Sequence, residues 1–163
     1  MTITLHDVTV AAYLRGFRVL ADLLAKGKAH GGDALVDQRL APDMLNLAGQ
    51  VQRASDTAKF AVARVADVAP PSFEDNETTI DHLLARIDAT VKWIESVPVE
   101  AVNDGATRSI TRDFRGTPRT FTAKEYVLAF ALPNFYFHVT TAYDILRHNG
   151  VGVGKLDYLG FNG

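Results

Sequence analysis

The sequence predicts an all-α protein, an antiparallel four-helix bundle with a short β-hairpin between helices 3 and 4. Three observations carry this reading. Four long segments repeat apolar residues at steps of three and four, the signature of a helix with one buried stripe. One stretch, Arg108 to Phe121, alternates instead in the manner of paired strands. The chain has 163 residues and is 47% hydrophobic, enough for one core.

The first helix is expected from Val8 to Lys28. Tyr13, Phe17, Leu20 and Leu24 line one face, and Gly31-Gly32 stops it. The second carries Met44, Leu47, Val51, Ala54, Ala58, Ala61 and Val65 on one stripe, with Pro42 in its first turn. Its alanines allow a neighbouring helix to approach closely. The third runs from Thr78 to Val97, with Asn76, Thr78 or Thr79 as cap and Pro98 as terminator. In the hairpin, Arg115-Gly116-Thr117-Pro118 turns the chain. The fourth helix runs from Ala123 to Asn149. Thr122 and Glu125 form its capping box, and Pro133 is expected to kink it. Asp67 to Glu77 links helices 2 and 3. Residues 151–163 read as a loosely docked, glycine-rich tail of the single domain 1–163.

Composition removes several classes of function. The chain has no cysteine, so disulfides, thiolate metal sites and cysteine nucleophiles are out. A formal net charge of -2 gives no broad basic field, so no nucleic-acid partner is expected. No apolar run reaches the ~20 residues of a membrane span, and the N-terminus lacks a basic-then-apolar leader. A cytoplasmic location without membrane contact is the expectation.

Five histidines are present: His6, His30, His82, His138 and His148. None forms a pair at i, i+4. His138 stands apart because it shares a helix face with Phe130, Asn134, Thr141 and Ile145. That face is apolar at both ends, so His138 and Asn134 are expected to point inward. A buried imidazole needs partners. It is either a satisfied core histidine that fixes helix register, or one element of an interior pocket. Glu74, Asp75 and Glu77 read as solvated loop charge. Arg108, Arg112, Arg115 and Arg119 form a basic strip that could bind an anion or a partner, with a solvated or edge-protecting role as the favoured reading. Gly150 to Lys155 fails the phosphate-loop pattern, since Asn149 and Leu156 stand where that motif needs Gly and Ser or Thr.

The fourth-helix stretch FALPNFYFHVTTAYDILRHNGVGVGKLDYLG resembles a domain-of-unknown-function family of bacterial proteins in the DinB/YfiT-like superfamily. The segment from Arg39 to Ile87 resembles the same family, so the likeness covers nearly the whole chain. The resemblance implies a four-helix bundle, frequently a homodimer, in a superfamily with many metal-dependent members. In those members one histidine on the second helix and an i, i+4 pair on the fourth hold a divalent ion. Some act on bacillithiol, mycothiol or glutathione. Transferred onto this sequence, the last histidine of the pair is His138, the first falls on Asn134, and the second-helix position falls on Gln50.

Gln50 and Asn134 are poor ligands for zinc or nickel beside one imidazole. The reading is therefore a polar constellation, Gln50, Asn134 and His138, that binds an unknown small molecule, with no metal and no other cofactor. If it is catalytic, His138 is the general base, with Asn134 orienting it or the substrate. Tyr13, Tyr136 and Tyr143 could lend a hydroxyl. Two alternatives remain: a divergent metal-dependent enzyme, a thiol transferase or hydrolase, that recruits a carboxylate such as Asp56 or one from a second subunit, and a non-catalytic structural dimer. Tyr158, Leu159 and Phe161 are the residues the tail could offer a second subunit.

Overall fold

The computed structural model describes residues 2–161; Met1, Asn162 and Gly163, the last two within the expected tail, lie outside the described residues. Helix α1 spans Leu5–Gly31, beginning before the expected start. The reason is a capping box: Thr4 accepts from the Asp7 N–H while Asp7 accepts from the Thr4 N–H. Helix α2 spans Leu47–Ala66. Pro42 lies outside it, a correction. The Asn46 side chain accepts from the Gly49 N–H at 2.9 Å and sets the start there. Helix α3 spans Ile80–Ser96, capped by Thr79.

A short α4, Val99–Asp104, then precedes the hairpin. Strands β1 (Ser109–Phe114) and β2 (Thr117–Thr122) pair antiparallel, with Arg112 opposite Arg119. Arg115 and Gly116 both have positive φ, 55° and 85°, as a two-residue hairpin turn requires. The expected fourth helix is divided. It comprises α5 (Ala123–Tyr126), a π-helical turn (Val127–Ala131) and α6 (Leu132–His148). A last helix, α7, spans Lys155–Leu159. The protein is thus mostly helical with one small antiparallel sheet, and has more helical segments than the four expected.

The π turn is the structural answer to Pro133. Proline has no N–H to give to the carbonyl of Ala129. The chain inserts one extra residue just upstream, so that the Leu132 N–H reaches back to the Val127 carbonyl. Pro133 then sits in the first turn of α6, where its missing donor costs nothing.

Helix α2 packs on α3 and α6, and α1 closes the other side against α3 and α6. Tyr13, Phe17 and Phe135 meet edge to face at the centre, with centroids 4.9 and 5.1 Å apart. Gly16 permits this approach, since a Cβ there would lie 2.3 Å from the Phe135 ring. The tail is not loose. Val151 and Val153 are buried, Asp157 pairs with Lys26, and Tyr158 packs on Tyr143 and bonds Thr140 at 2.9 Å. Tyr158 is therefore engaged within the chain. No helix among the described residues is long and apolar enough to cross a membrane.

Candidate functional site

Helices α2 and α6 run antiparallel, and polar side chains join them in rungs. Gln50 meets His138, with Oε1 2.8 Å from Nδ1. One level along, Asn134 donates to the Thr57 hydroxyl at 2.7 Å. Further on, Arg64 donates to the Tyr126 hydroxyl of α5 at 3.1 Å. The spacing explains the ladder. Gln50, Arg53, Thr57, Phe60 and Arg64 follow one another at steps of three and four, a second stripe beside the apolar one.

The first rung fixes the imidazole. The Gln50 side chain is buried, and its amide nitrogen donates to the Leu45 carbonyl at 3.1 Å. Its oxygen therefore faces His138 and accepts, which puts the ring proton on Nδ1. Nε2 keeps its lone pair. Burial, and then the positive charge of Arg53, lower the His138 pKa from 6.5 to about 4. The ring is neutral at physiological pH.

His138 and Asn134 line a cavity of about 230 Å³, together with Arg53, Asp56, Thr57, Phe60, Arg64, Arg112, Tyr126 and Phe130. Gln50 stands behind that wall. The structure thus brings Gln50 to His138, while Asn134 bonds Thr57 rather than the imidazole. A larger groove of about 610 Å³ lies between α1 and α3 and carries no histidine. Tyr13, Tyr136 and Tyr143 do not line the cavity. Tyr13 is buried in the core with its hydroxyl pKa pushed well up by burial, and Tyr136 donates to the Ala12 carbonyl at 3.2 Å. The tyrosine at the cavity is Tyr126. His30, His82 and His148 are exposed and His6 is half-buried.

Two charge readings are corrected here. Arg112 is not a solvated edge residue. Ile110, Arg112 and Phe114 share the inner face of β1, and Phe114 packs on Phe130 at 5.0 Å. That contact brings the hairpin over the cavity, so Arg112 joins its wall. Arg108 is also engaged, bonding the Val65 carbonyl and Asp67. The acidic loop is likewise not simply solvated. Glu77 and Asp75 lie 2.8 and 3.0 Å from Arg86, whose side chain is 2% exposed. Burial would raise the Glu77 carboxyl, but bonds from Arg86 and Gln52 outweigh it and hold it below the usual range.

Asp56 completes that second cluster. It lies 3.0 Å from Arg86, 3.1 Å from Lys59 and 3.2 Å from Arg53. Lys59 is also 2% exposed and sits over the rings of Phe60 and Phe73. A carboxylate held by three cations has little left to give a metal ion. The donor set beside it is one imidazole and two amides, with the Gln50 oxygen already bonded to His138. These residues do not fit zinc or nickel, which favour several imidazole, thiolate or carboxylate donors. Among the described residues no group of three or more His, Asp or Glu could hold a metal ion.

Fold and site together define a helical protein of the DinB-like group, and the chain belongs to the domain-of-unknown-function family DUF1993, which it matches over residues 5–159. A crystal structure of a DinB family member protein from Shewanella denitrificans is 39% identical, with a TM-score of 0.88; the match covers 96% of this chain and 92% of that one. No curated protein matches the chain.

Proposed function

We propose that this protein binds a small organic molecule in the cavity walled by Asn134 and His138, and that no metal takes part. The observation that carries the reading is the imidazole itself. It is neutral, its Nδ1 is tied back by Gln50, and its remaining nitrogen is an acceptor at the wall of a cavity. A volume of about 230 Å³ is below the ~300–1,000 Å³ typical of drug-sized sites. It suits a compact metabolite. A ring held near pKa 4 is a weak base at neutral pH, which favours hydrogen-bond recognition over proton abstraction. The four longest helices, α1, α2, α3 and α6, are taken as the antiparallel bundle that carries the cavity. A homodimer in the cytoplasm belongs to the same proposal.

The test is a ligand-observed NMR screen of polar metabolites against wild type, His138→Ala and His138→Gln. Hits are expected whose affinity falls at least tenfold in both variants, with the fold checked by circular dichroism. A set of hits that binds both variants with full affinity would remove the site from His138.

A further inference from the structure

We infer that the cavity is an oxyanion site, whose ligand carries a carboxylate or phosphate that docks on the guanidiniums of Arg112 and Arg64. This deepens the reading above and rests on the cavity being a ligand site. The argument is one of charge and unused donors.

Three arginines and one carboxylate line the cavity. The carboxylate, Asp56, is already shared among Arg53, Lys59 and Arg86, and the last two lie outside this wall. Arg53 also pairs with Asp75. The charges of Asp56 and Arg53 are therefore spent. Arg64 and Arg112 have no carboxylate partner among the described residues. Arg64 has the Tyr126 hydroxyl and the faces of Phe60 and Tyr126, with its guanidinium carbon 5.1 and 6.0 Å from the two ring centroids. Arg112 has less. Its Nε is buried and has no hydrogen-bond partner among the described residues. A buried N–H is rarely left unmade in a native protein.

The neighbouring hydroxyls point the same way. Tyr126 accepts from Arg64, so its own proton is free to be given. Thr57 accepts from Asn134 and is in the same position. Apart from the His138 Nε2 lone pair and the engaged Asp56, the unspent polar groups of this wall are therefore donors and positive charge. A planar guanidinium offers two parallel N–H groups, the geometry that a carboxylate or phosphate accepts. Arg86 also has a buried, unbonded Nε, but its charge is met by Asp56, Asp75 and Glu77, so the absence of any carboxylate partner among the described residues is what sets Arg112 apart.

The experiment is an NMR titration of the full-length, nitrogen-15-labelled protein, following the Arg112 side-chain Nε–H. Inorganic phosphate and sodium acetate are the two probes, each against sodium chloride at matched ionic strength. Saturable movement of that resonance by phosphate, acetate or both, but not chloride, is the expected result, and the stronger probe identifies the oxyanion. Arg112→Gln should weaken the stronger probe at least tenfold, read on backbone amides lining the cavity, and Arg112→Lys should weaken it less. Movement by neither probe, or equal binding by Arg112→Gln, overturns the inference. The cavity reading has its own fate. If neutral metabolites bind in a His138-dependent way while both anions fail, only the oxyanion assignment falls. If nothing binds through His138, both fall.

Discussion

Helix α2 faces two seams that treat charge in opposite ways. Toward α3, Asp56, Lys59, Arg86, Asp75 and Glu77 form a closed network in which each buried cation has an anion within 3.1 Å. Ser55 and Thr90 add a buried bond at 2.8 Å. Toward α6, the polar groups also pair, but around a hollow, and two of the three arginines there, Arg64 and Arg112, have no carboxylate partner among the described residues. The first seam is what a protein builds to hold two helices and a linker together. The second keeps donors unspent. Charge that is neutralised inside the fold serves the fold, and charge left over marks where a ligand can complete the set.

The comparison can be broken on its closed side first. Asp56→Ala strands Lys59 in a buried site and takes one of three carboxylates from Arg86, and should cost about 3–5 kcal/mol in a urea unfolding series. A loss under about 1 kcal/mol, by contrast, would mean that water enters and solvates the Lys59 ammonium. Gln50→Ala comes next. It leaves the His138 Nδ1–H and the Leu45 carbonyl without their partner, at about 1–3 kcal/mol. It should also mix the imidazole tautomers, visible in long-range nitrogen-15 spectra.

The third effect is a pH dependence. The His138 pKa is lowered from 6.5 to about 4 on folding. Between those values the unfolded chain binds more protons than the folded one, so stability falls as pH drops from 6.5 toward 4. After discounting for the partial exposure of the ring, His138 should account for on the order of 1–2 kcal/mol of that fall. His138→Gln should flatten this part of the profile, measured as Tm against pH. An unchanged slope in the variant would assign the pH effect elsewhere. The smallest effect sharpens the contrast. Arg112→Gln should move stability by no more than about 0.5 kcal/mol, because no internal hydrogen bond or ion pair among the described residues is lost.

Much of this was legible in the sequence. The apolar stripes placed α1, α2 and α3 within a few residues, and Thr122 with Glu125 marked the start of α5. The inward face of α6 singled out Asn134 and His138, and the family likeness added Gln50. Other features needed three dimensions. Pro133 announced a disturbance but not its form, because a kink and a π turn both answer a missing N–H. Arg53, Thr57 and Arg64 shared the stripe of Gln50 and could have been found by following it. Arg112 could not, since alternation placed it beside Ile110 and Phe114 without showing what that face covers. The pairing of Arg86 with Asp56, Asp75 and Glu77 joins distant segments and has no local signal.

The π turn at Val127–Ala131 has a consequence for how such a cavity changes over time. It acts as a phase shifter between the hairpin half and the histidine half. Deleting one residue there would restore ordinary helical pitch and swing one half about the axis by roughly 100° relative to the other. The arginine of β1 and the imidazole of α6 would then no longer look into the same space, although both side chains were kept. A lineage with this architecture has a route to new ligands that runs through single-residue insertions and deletions in one short turn, with the packed helices on either side left as they are.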